Sequence, residues 1–126
     1  MNTNRTGTST GNRGIIMAMH PRRHPFPVWQ GIWVAFCGKN GTVSDLLRRV
    51  YPHEEAAQAL IGAGSIMALE EPPHKNLGYT QYFPPILGIT PEKLIQIMNA
   101  HGDCAYAFIW DGTNWQTRDI ASQWTF

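Results

Sequence analysis

At 126 residues the chain has the size of one domain, and a domain of that size buries about two-thirds of its unfolded surface, so folding needs no disulfide scaffold or structural metal. Apolar residues make up 43% and charged residues 15%, and the five Trp, five Phe and four Tyr leave aromatic surface outside the core, which favours binding or self-association. Charge is uneven: the first acid is Asp45, so the head carries +5 from Arg5, Arg13, Arg22, Arg23 and Lys39, the remainder −4, and the chain +1.

Residues 1–27 read as a basic flexible arm. Residues 1–14 are mostly Asn, Thr, Gly, Ser and Arg, with nothing to pack, and His20 to Pro27 is an extended, proline-rich leader. The apolar run Ile15 to Met19 is too short for an export signal, and no run approaches membrane-spanning length. The expected compartment is therefore the cytosol. Cys37 and Cys104 are expected as buried, reduced thiols.

Residues 28–126 read as one domain. Val28 to Cys37 is a central strand, with Val28, Gln30, Ile32, Val34 and Phe36 on one face and Trp29, Gly31, Trp33, Ala35 and Cys37 on the other. Gly38 to Gly41 is a turn rather than a phosphate cradle, because the Walker spacing is missing. Ser44 is placed as a helix cap, followed by an apolar stripe of Val43, Leu46, Leu47 and Val50. Pro52 opens a second helix with Glu54 and Glu55 in its first turn; Ala56, Ala59, Leu60 and Ala63 form its packing face, and Gly62 and Gly64 end it. Ser65 to Leu69 is a short strand. Residues 70–88 are mostly irregular, with a short strand at 79–83.

The clearest helix begins at Thr90-Pro91-Glu92, buries Leu94, Ile97, Met98 and His101, and stops at Gly102. Cys104 to Trp110 and Trp115 to Ile120 form a hairpin around Asp111-Gly112-Thr113-Asn114, with Trp110 and Trp115 facing each other. The expected fold is α+β: a single small domain with a three- to five-stranded, mostly antiparallel sheet, about three helices packed on one face, a C-terminal β-hairpin and a basic flexible N-terminal arm.

No motif names a reaction. The favoured reading is a non-catalytic binding protein that occupies a partner protein's surface, as an inhibitor, immunity or accessory factor of a kind found on mobile elements. Its binding face would gather Tyr79, Tyr82, Phe83, Trp110, Trp115 and Trp124, and a homodimer through the same face is compatible with it. The alternative is a nucleic-acid or nucleotide module that uses Arg5, Arg13, Arg22 and Arg23 with the exposed rings. A third reading is a cysteine hydrolase with Cys37 as nucleophile and His101 as base. These isolated residues, with Gln30 upstream, are similar to the set that papain-like peptidases use, but Cys37 ends a strand instead of opening a helix whose dipole would lower its pKa. His101, at the end of an apolar stripe, is more simply a structural histidine. Neither a cofactor nor a metal is expected: Pro21 and Pro25 beside His20 and His24 prevent a shared helix face, and no other ligands pair at a metal-binding spacing.

Overall fold

The apolar run inside the expected arm forms the middle of the sheet. The computed structural model describes residues 13–21, 27–36, 42–71, 76–101 and 104–120. In it Gly14–Met19 is strand β1, buried from Gly14 to Ala18. It pairs antiparallel with β2 (Trp29–Phe36) and parallel with β6 (Tyr106–Trp110). A strand covered on both faces needs a continuous apolar run instead of alternation, and Ile15, Ile16, Met17 and Ala18 supply it. The domain therefore begins by residue 14, and the expected flexible arm does not extend to residue 27. Arg5, Arg22 and Arg23 lie outside the described residues.

From β2 the chain passes through α1 (Thr42–Val50) and α2 (Glu54–Gly62) to β3 (Ile66–Ala68), which lies parallel to β2. Short strands β4 (Leu77–Gly78) and β5 (Ile86–Gly88) follow, then α3 (Pro91–Ala100), β6 and β7 (Trp115–Asp119). Among the described residues the sheet has seven strands in the order β4-β3-β2-β1-β6-β7, with β5 also paired to β2. It is mixed, because two βαβ-type connections force parallel pairs. The α+β class holds, with more strands than expected.

The helices do not share one face. Val43 and Leu47 of α1, and Ala57, Leu60 and Ile61 of α2, pack with Ile16, Ile32, Val34, Phe108, Trp110 and Trp115. Leu94, Ile95 and Met98 of α3 pack on the opposite side with Ile15, Met17, Ala107 and Ile109. β1, β2 and β6 are apolar on both faces, so one helical layer could not have covered them.

Local chemistry accounts for several boundaries. Thr90 caps α3, its hydroxyl accepting from the Lys93 amide at 3.0 Å, and Pro91 opens the helix. Ser44 caps nothing: α1 starts at Thr42, and the buried Ser44 hydroxyl meets that of Thr117 on β7 at 3.1 Å. The packing face of α2 is Ala57, Leu60 and Ile61, with Ala59 and Ala63 exposed. No strand forms at 79–83. The hairpin is as expected: Trp110 stands opposite Trp115, and the Asp111 carboxylate accepts from the amides of Thr113 at 2.8 Å and Asn114 at 2.7 Å. Gly112, at φ +102, supplies the positive dihedral that a tight hairpin needs at its first central position.

Candidate functional site

The outer edge of β2 is shared by two short strands, and the site lies where they part. β5 pairs with Trp29 to Gly31, and β3 pairs with Val34 and Phe36. The Trp33 amide falls between them and donates to the Ser65 hydroxyl at 3.0 Å. This side-chain acceptor replaces the missing ladder bond, as a buried N–H requires. The segment 79–85 crosses the same gap. The Phe83 carbonyl accepts from the Ser65 amide at 2.9 Å, and the Tyr82 hydroxyl donates to the Gly62 carbonyl at 3.2 Å.

A solvent-open cleft of about 380 Å³ results on the α3 side of the sheet. Its walls are Trp33, Tyr79, Phe83 and Ile86; Arg13, Ser65 and His101 supply its polar groups. Trp33 is held in place by its indole N–H, which donates at 3.3 Å to the Met98 carbonyl in the last turn of α3, an oxygen that also accepts from the His101 amide at 3.2 Å. The His101 ring stands edge-on to Trp33 at 6.2 Å and 78°. Tyr79 and Phe83 meet edge-to-face at 5.1 Å and 83°. Such a pair contributes about 0.5–1.5 kcal/mol beyond its area burial, which favours this arrangement of two exposed rings.

The expected six-ring face does not assemble. Trp110 and Trp115 are 3% and 5% exposed and belong to the core beneath α1 and α2. Their indole N–H groups are taken up within the fold, Trp110 donating to a Glu54 carboxylate oxygen at 2.6 Å and Trp115 to the Tyr51 carbonyl at 2.7 Å. The sheet separates them from Tyr79 and Phe83. The cause is the hairpin register: paired residues point to the same face, here the face that two helices cover. Trp124 lies outside the described residues.

Tyr79, Tyr82 and Phe83 are exposed, as expected, at 38%, 61% and 40%. Leu87 at 54% and Ile89 at 60% join them, so among the described residues five of the six exposed large apolar side chains fall within residues 79–89. Leu87 and Ile89 were not singled out by sequence, since the run Ile86 to Ile89 resembles any buried strand.

Of the cysteine-hydrolase reading, the two described residues, Gln30 and His101, lie on opposite sides of the sheet. Gln30 is buried on the α2 side, donating to Gln58 at 2.7 Å, whereas His101 lies across the sheet against Trp33. His101 is exposed, not part of a buried stripe; the buried face of α3 is Leu94, Ile95 and Met98. Cys37 lies outside the described residues, and Cys104 is buried. Arg13, half-buried, accepts from the Ala105 amide at 2.8 Å through its carbonyl, which fixes it at the start of β1 and not on a loose arm. Among the described residues no group of three or more His, Cys, Asp or Glu is placed to hold a metal, and no helix is long and apolar enough to cross a membrane.

Comparison with protein-family models, with curated proteins and with solved structures finds no match to this chain.

Proposed function

We propose that this chain is a non-catalytic binding protein that occupies a partner protein's surface through residues 79–89. One observation carries the reading: the concentration of exposed large apolar side chains in that one segment. Scattered apolar residues at a surface are ordinary, but five large ones within eleven consecutive residues are a concentration of the kind that marks an interaction site. The strip is also anchored. Backbone and hydroxyl bonds tie residues 82 and 83 to the α2–β3 turn, so its rings are ordered before a partner arrives and less entropy is lost on docking.

For the nucleic-acid alternative, Arg13 is not available as part of a loose arm, because its carbonyl is bonded to the Ala105 amide beside the first strand.

The test compares partner recovery by the wild-type chain with that by two double variants, all shown to fold. Tyr82→Ala with Leu87→Ser is expected to abolish recovery of a partner that the wild type retains. Gln96→Ala with Gln116→Ala, at exposed positions outside the strip, is expected to retain it. Equal recovery by all three would remove the reason for choosing this segment.

A further inference from the structure

The cleft behind the strip has a chemistry of its own. Besides the phenol-bearing Tyr79 among its aromatic walls, the polar residues that line it are Arg13, His101 and Ser65, and among the described residues no carboxylate lines it. The Ser65 oxygen already accepts from the Trp33 amide, which leaves the hydroxyl hydrogen to donate. The Trp33 indole N–H is committed to Met98, so this ring offers the cleft a flat apolar wall and no polar demand. Tyr79, Phe83 and Ile86 complete a largely apolar slot, to which Tyr79 adds one hydroxyl.

A donor-rich end and flat aromatic walls call for a ligand with a planar apolar body and one anionic group. The volume of about 380 Å³ is near the lower end for ligand sites, which fits one ring or a fused pair with a short acid chain. The charge is better one than two. His101 is the residue at the C-terminal end of α3, where the helix carries partial negative charge that opposes a dianionic phosphate, and one guanidinium matches a carboxylate in bidentate fashion.

We propose that this cleft is a binding site for an aromatic carboxylate, with the acid directed to Arg13, Ser65 and His101 and the ring held between Trp33 and the Tyr79–Phe83 pair. The same chemistry is presented by a free aromatic acid and by the C-terminal aromatic residue of a peptide. The site rests on the reading of this face as a binding surface and shares Tyr79 and Phe83 with the strip.

The test is a titration of the isotope-labelled chain, followed by amide and indole N–H resonances, with 3-phenylpropionate, its neutral alcohol 3-phenylpropanol, and an acetylated dipeptide ending in Phe with a free carboxylate. The expected result is saturable shifts at the Trp33 indole and the Ser65 and Phe83 amides, with Kd on the order of millimolar or tighter for the acid and at least about tenfold weaker for the alcohol. Arg13→Gln and, at an exposed position, His101→Gln are each expected to weaken the acid while leaving the alcohol unchanged. Tighter binding of the dipeptide identifies a partner's C-terminus as the source, and tighter binding of 3-phenylpropionate identifies a free acid; both support the site. Equal binding of acid and alcohol, shifts scattered over the surface, or an acid unaffected by both variants would overturn it. Leu87→Ser with Ile89→Ser separates the two readings: it is expected to remove partner recovery and leave the acid titration intact.

Discussion

Gly64 joins the fold to the candidate site, and Gly64→Ala measures how firmly. The residue follows α2 at φ +92, a conformation that a side chain disfavours by roughly 1–2 kcal/mol. A Cβ built there would stand 2.6 Å from the Phe83 carbonyl oxygen and 2.7 Å from the Tyr82 ring. That oxygen also accepts from the Ser65 amide, so it cannot retreat without losing a hydrogen bond of about 0.5–1.5 kcal/mol. With some relief by movement of the Tyr82 ring, the expected loss is about 2–5 kcal/mol, read as a shift in the urea midpoint followed by tryptophan fluorescence. Gly62→Ala is the control. Nothing lies within 4 Å of its Cβ position, and it sits in the last turn of α2, so a gain of up to about 1 kcal/mol is expected. Stability of Gly64→Ala within about 0.5 kcal/mol of wild type would show that residues 82 and 83 do not rest on this turn, and the argument for a pre-ordered binding strip would fail.

Other expectations follow from the same geometry. Gly88→Ala should destabilise more than Gly31→Ala: at Gly88 the new Cβ meets Leu94 backbone atoms at 3.0 and 3.1 Å, whereas at Gly31 the nearest atom is the movable Met98 sulfur at 2.9 Å. We expect roughly 1–3 kcal/mol at Gly88 and less at Gly31, by denaturant unfolding; the reverse order would contradict the packing of α3. Trp115→Ala should cost about 3–5 kcal/mol by the same assay, as a core truncation, and a folded variant that loses only partner binding would restore Trp115 to the binding face. Hydrogen bonds from the Asn114 and Thr113 amides hold the Asp111 carboxyl below its ordinary value of 3.8, so its contribution to stability is present above that pH and is lost as pH falls through the folded value. Melting temperatures of wild type and Asp111→Asn should therefore differ at neutral pH and converge in acid; a gap independent of pH would contradict this.

Strong local signals made much of the fold legible. Thr90-Pro91 announced α3, the turn residues between Trp110 and Trp115 announced the hairpin, and the two apolar faces of β2 announced a central strand. Strand β1 was hidden because five apolar residues have no period and stand among Arg, Gly and Pro, a composition that suggests a tail. The second helical layer was hidden because an amphipathic helix does not state which side of a sheet it will cover.

The site was legible only where exposure is local. Tyr79, Tyr82 and Phe83 belong to an irregular, proline-flanked segment that could not bury them all. Arg13, Trp33, Ser65 and His101 come from four separate parts of the chain, and their convergence is a consequence of sheet order. The opposition of Trp110 to Trp115 was foreseen correctly, but the inference that they stay outside was wrong, because pairing sets which face two residues share and says nothing of what covers it.

The central claim is that residues 79–89 are a surface that a protein partner covers. Photo-crosslinking tests it most directly, with a photoreactive amino acid placed in turn at Tyr82, at Leu87 and at Gln116 on the far edge of the sheet, in the native cell. The account predicts one discrete protein adduct shared by positions 82 and 87 and none at 116. Adduct formation at 116 as strong as at 82, or none at either strip position, would contradict it.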